Sequence, residues 1–176
     1  WLYNEFHYFC NSKSRIYNIP ENQIHLIINN LYIMSTKIKV AINGFGRIGR
    51  TFFILLSAHP HLKVVAINDF ADAMTMAHLL KYDSIHGVSQ SKIVAGENCI
   101  TVDGNEIATL NHKSPKEIPW HNYNVDIVLE ATGKFKTRDI LDYHLQNGAK
   151  KVILSVPPAD EDIKMVVLGV NESLIN

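Results

Sequence analysis

The sequence predicts a doubly wound α/β fold with a mostly parallel sheet and a small antiparallel hairpin excursion. Three observations lead to this prediction. Short apolar strand patterns alternate with helical stripes along the chain. A glycine-rich turn at residues 44–49 joins the first strand to the first helix. Two short strand patterns flank Asp103-Gly104-Asn105, a sequence typical of a tight hairpin turn.

The first three elements form a strand–helix–strand unit. Residues 38–42 are a short apolar strand, and residues 47–58 carry apolar side chains at helical spacing until Pro60 ends the helix. Residues 62–67 form a second apolar strand. Two strands joined by a helix are expected to be parallel, with a right-handed crossover between them.

The rest of the chain continues this alternation. Asp72 favours an N-cap for the helix that follows it, and Gly148 favours a C-terminal cap for a helix at 137–146. The remaining predicted segments are a helix at 73–80 and strands at 93–94, 99–102, 106–110, 125–129, 151–154 and 165–168. Together these elements complete a sheet with helices on its faces.

Length and composition exclude several classes of protein. The chain has 176 residues, of which 47% are hydrophobic and 19% charged, a composition typical of globular proteins and not of disorder. With 17 basic and 17 acidic residues, it lacks the positive charge of nucleic-acid or polybasic membrane-binding surfaces. Cys10 and Cys99 are too few for a disulfide framework or a four-thiolate zinc site, so we expect a reducing, cytosolic setting.

Residues 1–33 form a leader of different composition, which contains no Gly, Ala, Val, Asp or Thr. Its apolar run at 24–33 is interrupted by Asn29-Asn30, which argues against a secretory signal, and its one arginine and two glutamates argue against a transit peptide. Two interpretations stay open: translated upstream DNA, with Met34 as the true start, or a short native extension. We expect the leader to lie outside the fold and the domain to span 34–176.

The glycine-rich turn fits the pattern G-x-G-x-x-G and stands between a strand and a helix, the context in which the pattern indicates dinucleotide binding. Gly44 allows a tight turn, Gly46 removes a side chain where a pyrophosphate approaches, and Gly49 allows close helix–strand packing. The free N–H groups near Arg47 and Ile48, at the positive end of the helix dipole, are expected to face the phosphates. The turn therefore predicts a Rossmann-type cofactor site.

An acidic residue follows at the spacing that this kind of site requires. Asp69 stands 20 residues after Gly49, directly after the second strand. Its carboxylate can accept hydrogen bonds from the adenosine ribose hydroxyls and would repel a 2′-phosphate, which favours NAD over NADP. The alternative is a tight strand–helix turn with a solvated aspartate, and that alternative does not explain why the glycines and the acid occur together.

Longer stretches, in register along the chain, resemble one family. The sequence KVAINGFGRIGR at 39–50 closely resembles the opening of the glyceraldehyde-3-phosphate dehydrogenases. The resemblance continues at AIND (66–69), AHLLKYDSIHG (77–87), EATGKF (130–135), GAKKVILS (148–155) and LGVN (168–171). It covers essentially everything from residue 37 onward and is far more specific than the glycine pattern alone.

The resemblance implies a role in NAD binding for residues beyond the glycine turn. Lys113 stands where the family often has arginine, close to the adenine end, and keeps the charge without the flat guanidinium that stacks on a base. Thr132 and Gly133 are implied to line the nicotinamide side of the cleft, and Ser155 to lie near the nicotinamide. The segment 82–86 resembles a stretch that the family uses at subunit contacts, which implies a homotetramer.

The resemblance also implies the family's reaction, the phosphorylating oxidation of glyceraldehyde 3-phosphate to 1,3-bisphosphoglycerate in glycolysis. The family's cysteine nucleophile lies in a Ser-Cys-Thr-Thr run shortly after the stretch that matches 169–171. The sequence stops at Asn176 without that run, so we predict a fragment with no catalytic residue and no activity of its own. Cys99 is expected to be a small buried residue and not a replacement nucleophile. No metal site is predicted.

Three other interpretations remain. Erythrose-4-phosphate dehydrogenase shares the same N-terminal motifs and chemistry, and the wording at 168–171 leans towards the glyceraldehyde enzyme. A stand-alone NAD-binding module without catalysis would bind the cofactor equally well. A structural scaffold without a ligand is the weakest alternative, because it leaves the glycine turn and Asp69 unexplained as a pair.

Overall fold

The computed structural model describes residues 37–83 and 87–175, and the predicted leader lies outside these ranges. Within them, the strands are β1 (Ile38–Asn43), β2 (Leu62–Asn68), β3 (Tyr82–Asp83), β4 (Gly87–Val88), β5 (Ile93–Ala95), β6 (Cys99–Val102), β7 (Asn105–Leu110), β8 (Ile127–Glu130) and β9 (Lys151–Leu154). The α-helices are α1 (Arg47–Ser57), α2 (Ala73–Lys81) and α3 (Arg138–Gln146). Short 3₁₀ helices lie at Pro115–Glu117, Trp120–Tyr123 and Glu172–Leu174.

Seven strands form one sheet in the order β5-β6-β7-β2-β1-β8-β9. Five neighbouring strands of the sheet are mutually parallel: β7, β2, β1, β8 and β9. Strands β5 and β6 are antiparallel additions at the β7 edge. Strands β3 and β4 form a separate antiparallel pair. The predicted doubly wound, mostly parallel sheet with a hairpin excursion is confirmed.

The order of the strands creates a crevice in the middle of the sheet. From β1 the chain moves through β2 towards β7, and it then returns to the other side of β1 to add β8 and β9. The direction of winding therefore reverses between β1 and β8. In open α/β sheets, ligands bind outside the carboxyl ends of the strands at such a reversal point.

Local capping explains where two of the helices begin and end. The Asp72 side chain accepts a hydrogen bond from the Thr75 amide at 2.7 Å, as expected for the N-cap of α2. Gly148, with φ of +108°, follows α3, and its amide donates to the Leu145 carbonyl at 3.0 Å. A residue with a side chain would be strained in this backbone conformation, so glycine ends α3 here as predicted.

The hairpin between β6 and β7 turns at Asp103 and Gly104, which have φ of +49° and +81°. Two successive positive φ values are the mark of a type I′ turn, whose twist matches that of the flanking strands. The Asp103 side chain also accepts a hydrogen bond from the Lys92 amide at 2.8 Å, which ties β5 to the turn. The predicted hairpin is confirmed.

Two apolar cores lie on the two faces of the sheet, because successive strand residues point to opposite faces. Ile42 and Ile67 face the core beneath α1 and α2, together with Phe53. Their neighbours Ala41 and Ala66 face the second core, which contains the fully buried Trp120. The first core includes Phe45 of the glycine turn, so it reaches the carboxyl edge of the sheet and supports the backbone from which the site projects.

The strand predicted at 165–168 is wrong. These four residues have no regular secondary structure and are largely exposed, with Leu168 89% exposed. The Asn171 side chain turns the chain instead: its Oδ1 accepts from the Val167 amide at 2.6 Å, and its Nδ2 donates to the Met165 carbonyl at 3.0 Å. A strand requires a partner strand for its backbone groups, and none pairs with this run in the described part of the chain.

Candidate functional site

The residues predicted to bind a cofactor all follow the carboxyl ends of parallel strands. The glycine turn follows β1, Asp69 follows β2, and Lys113 comes shortly after β7. Thr132 and Gly133 follow β8, and Ser155 follows β9. Because these five strands are parallel neighbours, residues that are 111 positions apart in sequence, from 44 to 155, meet at one edge of the sheet.

Gly44 makes the tight turn possible. It has φ of +96°, and its amide donates to the Asn68 carbonyl at 2.8 Å. A Cβ at this position would lie 2.7 Å from the Thr132 nitrogen and 2.8 Å from the Ala131 carbonyl carbon. Glycine is therefore required both by the backbone conformation and by the close approach of the β8 end.

The other two glycines of the pattern differ in their surroundings. A Cβ on Gly49 would lie 2.0 Å from the Gly44 carbonyl oxygen, so this glycine allows α1 to pack against the turn. A Cβ on Gly46 would meet no atom of the described residues within 4 Å. Internal packing therefore does not require glycine at position 46, and the open space above it is what an approaching pyrophosphate needs.

The start of α1 presents free backbone donors to this space. Gly46 is the N-cap residue and supplies no capping side chain, and the first turn contains no acidic residue. Arg47 and Ile48 are exposed, and among the bonds between described residues the first helical one comes only at the Arg50 amide. The unbonded N–H groups and the positive end of the helix dipole fit a phosphate group.

Asp69 is fixed beside the glycine turn. Its Oδ2 accepts a hydrogen bond from the Phe45 amide at 2.6 Å, and its Oδ1 accepts one from the Ala71 amide at 3.0 Å. The residue is half-buried. A carboxylate has about four acceptor positions, so two remain for hydroxyl donors of a ligand.

Lys113 lies next to a backbone segment that Asn68 holds in place. The Asn68 side chain accepts from the His112 amide at 2.8 Å and donates to the His112 carbonyl at 3.0 Å. Lys113 is exposed directly after this clamp, on the β2 side of the site. The clamp therefore brings Lys113 to the same end of the site as Asp69.

Thr132 and Gly133 form a turn on the β8 side of the crevice. Both the amide and the hydroxyl of Thr132 donate to Oε1 of Glu130, the amide at 2.9 Å. The same hydroxyl accepts from the Lys134 amide at 3.2 Å. Gly133, with φ of +70°, is in a conformation that favours glycine. The Thr132 hydroxyl thus holds the turn together, a function that the sequence did not indicate.

Ser155 lies at the end of β9, beside the end of β8. Its amide donates to the Glu130 carbonyl at 3.0 Å. Its hydroxyl is buried and has no hydrogen-bond partner within the described residues. A buried hydroxyl without a partner carries a free-energy penalty, which a polar ligand group at this position would remove.

The sequence patterns indicated no role for the buried polar residues at the carboxyl ends of β1, β2 and β8. Asn43, Asn68 and Glu130 are at most 5% exposed, and the Asn43 Nδ2 donates to Glu130 Oε2 at 2.5 Å. The signal was available, because each of these residues is the polar last residue of an apolar strand. His144, on α3, is also fully buried, and no sequence pattern identified it.

Three expectations concern features away from the cleft. Cys99 is half-buried in β6, less buried than predicted. In the described ranges, no three His, Cys, Asp or Glu side chains lie close enough together to hold a metal ion. The contact segment predicted at 82–86 is described only at Tyr82 and Asp83. Among residues 37–83 and 87–175, no helix combines the length and the apolar character needed to cross a membrane.

Comparison with known proteins identifies the family. Residues 38–138 match the family described as glyceraldehyde 3-phosphate dehydrogenase, NAD binding domain. The match contains the glycine turn, Asp69, Lys113 and the turn at 132–133. The chain belongs to this family. The glyceraldehyde-3-phosphate dehydrogenase NAD-binding domain thus accounts for the fold, and NAD is the cofactor of such a domain.

Individual relatives agree with the family match. The chain is 51% identical over 136 residues to glyceraldehyde-3-phosphate dehydrogenase 2 of Bacillus subtilis, an alignment that covers 77% of this chain and 40% of that protein. It is 46% identical over 142 residues to the Mycoplasma pneumoniae glyceraldehyde-3-phosphate dehydrogenase, covering 81% and 42%. It is also 46% identical over 142 residues to the chloroplastic enzyme of Gracilaria gracilis, covering 80% and 34%. The chain spans about two fifths of the length of the first two relatives.

Proposed function

We propose that this chain binds NAD along the carboxyl edge of its sheet and is the cofactor-binding part of a phosphorylating glyceraldehyde-3-phosphate dehydrogenase. The observation that supports this most directly is the open space at Gly46, next to a helix start with free donors and an anchored aspartate. Among the pattern's glycines, position 46 is the one whose missing side chain is not explained by packing against residues 37–83 and 87–175. The proposed cofactor-binding residues are Gly44, Gly46, Arg47, Ile48, Gly49, Asp69, Lys113, Thr132, Gly133 and Ser155.

The order of the strands gives the cofactor its direction. Asp69, after β2, receives the adenosine ribose, and the start of α1 receives the pyrophosphate through the amides of Arg47 and Ile48. The nicotinamide half then extends past β1 to the β8 and β9 side of the crevice. There the turn at 132–133 forms one wall, and the Ser155 hydroxyl, which has no partner among the described residues, can hydrogen-bond the nicotinamide amide.

Two charged residues act at the adenosine end. The Asp69 carboxylate is held by two backbone amides, so it cannot turn away from a 2′-phosphate, and this favours NAD over NADP. Lys113 contributes a mobile positive charge near the adenine and has no planar group to stack on it.

The names of the relatives support a proposal for the activity of the whole protein. The three enzymes compared above are all named glyceraldehyde-3-phosphate dehydrogenase, which favours the glyceraldehyde enzyme over the erythrose-4-phosphate enzyme. The whole protein would oxidise a small phosphorylated aldehyde in the cytoplasm, as a glycolytic homotetramer. Tyr82 and Val88, 56% and 57% exposed on the β3–β4 pair, provide an apolar surface for a subunit contact.

Isothermal titration of the full 176-residue chain with NAD and with NADP tests the proposed binding. Wild type should bind NAD more tightly than NADP. Asp69→Asn should weaken NAD binding about tenfold, because a charged acceptor for ribose hydroxyls is lost. The same variant should reduce the ratio of NAD affinity to NADP affinity. Asp139→Asn, an exposed aspartate in the first turn of α3, is the matched control and should bind as wild type does. A wild-type chain that binds neither nucleotide would contradict the proposal.

A further inference from the structure

A continuous chain of buried polar side chains runs beneath the candidate site. The Trp120 indole Nε1 donates to His144 Nδ1 at 2.9 Å, and His144 Nε2 lies 3.1 Å from Glu130 Oε2. The same Oε2 accepts from Asn43 Nδ2 at 2.5 Å, and Asn43 Oδ1 accepts from Asn68 Nδ2 at 2.8 Å. Trp120, His144 and Glu130 are 0% exposed. The chain links the end of β2 to α3 across the middle of the sheet.

The tryptophan fixes the proton position on His144. An indole nitrogen can only donate, so His144 Nδ1 must accept and carries no proton. The ring is therefore neutral, with its proton on Nε2, where it donates to Glu130 Oε2. Only one tautomer and one ring orientation satisfy both neighbours, so His144 acts as a rigid spacer between Trp120 and Glu130.

Glu130 accepts four hydrogen bonds, two on each carboxylate oxygen. Oε2 receives Asn43 Nδ2 and His144 Nε2, and Oε1 receives the Thr132 amide and hydroxyl. All four donors are neutral, and each oxygen is used only as an acceptor. A neutral amide in place of this carboxylate would direct an NH₂ group at two existing donors, so this position requires Glu and not Gln.

Glu130 in turn sets the turn that forms one wall of the crevice. Its Oε1 accepts hydrogen bonds from both the amide and the hydroxyl of Thr132. The Thr132 nitrogen would lie 2.7 Å from a Cβ placed on Gly44. The backbone of Ala131 and Thr132, directly after β8, therefore packs against the glycine turn, at the reversal point of the strand order. Any movement of the Glu130 carboxylate changes the position of Thr132 and Gly133 relative to Gly44.

We propose that Glu130, oriented by His144 and Trp120, is a positioning residue for the nicotinamide half of NAD. It touches no cofactor atom and acts through the turn at 132–133. The groups at the adenosine and pyrophosphate end make no direct bond to its carboxylate in the described residues: Asp69 is held by the Phe45 and Ala71 amides, and the start of α1 presents its own amides. This inference rests on the proposed NAD binding, and it adds a residue that determines how one half of the cofactor is held.

Comparison of NAD with ADP tests the inference, because ADP carries the adenosine and pyrophosphate but lacks the nicotinamide half. Isothermal titration of the full chain should show that wild type binds NAD more tightly than ADP. Glu130→Gln should weaken NAD binding about tenfold and leave ADP binding within about twofold. Glu106→Gln, an exposed glutamate on β7, is the matched control and should change neither ligand.

The outcomes separate the inference from the proposed function. Suppose that wild type binds NAD, and that Glu130→Gln either weakens NAD and ADP binding equally or leaves both unchanged. The positioning role is then wrong, while the proposed NAD binding stands. If wild type binds NAD no better than ADP, the β8 wall contributes nothing and the inference is also wrong. If wild type binds neither ligand, the proposed function fails and the inference fails with it.

A second variant and a spectroscopic measurement keep the test decisive if Glu130→Gln does not fold. Thr132→Val keeps the side-chain shape and removes the hydroxyl bond to Glu130 together with the weaker one from the Lys134 amide, so it should show the same split, with NAD binding weakened about threefold. In a ¹⁵N spectrum at neutral pH, His144 should carry its proton on Nε2 and show a coupling across the hydrogen bond to the Trp120 indole. A proton on Nδ1, or unchanged NAD binding by Thr132→Val, would overturn the inference.

Discussion

Gly46 and Gly49 belong to one motif, yet the structure predicts opposite consequences when each is replaced by alanine. In the part of the chain that the structure describes, a Cβ at Gly46 meets nothing within 4 Å, whereas a Cβ at Gly49 lies 2.0 Å from the Gly44 carbonyl oxygen. Gly46→Ala should therefore affect ligand binding and spare stability. Gly49→Ala should affect stability first, because the new methyl group pushes α1 away from the turn.

The magnitudes follow from the local geometry. Gly46 has φ of −69° and ψ of −161°, which alanine adopts freely. The entropy gain of about 0.4–1 kcal/mol from replacing glycine is offset by the preference of N-caps for glycine over alanine, so stability should change by less than about 0.5 kcal/mol. At Gly49 an inserted methyl group costs about 1–3 kcal/mol or more. The opposing atom is backbone in a turn already wedged against Thr132, so we expect about 3 kcal/mol, reduced to about 2 kcal/mol by the higher helix propensity of alanine.

Thermal unfolding and NAD titration of both variants, with the full chain, check these values. Gly49→Ala should lower Tm by about 4–8 °C, since about 1 kcal/mol corresponds to roughly 2–4 °C for a chain of this size. Gly46→Ala should keep Tm within about 2 °C and weaken NAD binding about tenfold or more, because its methyl group occupies the space for the pyrophosphate. Equal Tm losses in the two variants, or normal NAD binding by Gly46→Ala, would refute the reasoning.

Two further predictions concern ion pairs. The hydrogen bond from the Lys150 ammonium, and then the one from the Lys39 amide, keep the pKa of Asp126 below its ordinary value. Because this pKa is lower in the folded state than in the unfolded state, the ionised Asp126 stabilises the fold at neutral pH. That stabilisation is lost as the pH falls through the folded-state pKa. Asp126→Asn should thus cost about 1 kcal/mol in urea unfolding at pH 7, a difference that shrinks below about pH 4, and a difference independent of pH would count against this account. Arg50 Nε donates to Asp83 at 3.1 Å with both side chains largely buried, so Arg50→Met should cost about 2 kcal/mol in thermal unfolding and Arg50→Lys less, and equal losses would argue against the specific contact.

The elements that depend on local sequence could be predicted. The strand predicted at 38–42, which the structure extends to Asn43, the helix that starts at Arg47 and the hairpin turn at 103–105 are determined by apolar spacing and by residues with unusual backbone freedom. Asp72 and Gly148 mark helix ends through contacts within a few residues. In each case the interacting groups are neighbours in sequence, so the local sequence pattern is enough to predict the structure.

The features that sequence reasoning missed depend on contacts between distant segments. His144 is one residue of a helical pattern, and nothing in that pattern indicates that its ring reaches Glu130, which is 14 residues earlier. Trp120 completes the arrangement from a 3₁₀ helix 24 residues before His144. The strand expected at 165–168 failed for a related reason, because an apolar run becomes a strand only when a partner strand is present.

The place of β1 in the centre of the sheet has a consequence for how the chain folds during synthesis. Its partner on one side, β2, follows within 25 residues, but its partner on the other side includes Glu130, 87 residues after Asn43. At about 5–20 residues per second, a ribosome needs roughly 4–17 s to make that interval. For those seconds one edge of β1 carries unpaired N–H and C=O groups beside apolar side chains, the kind of surface that invites aggregation. Non-local pairing of this kind slows folding, so the nascent chain depends on protection of this edge until β8 emerges.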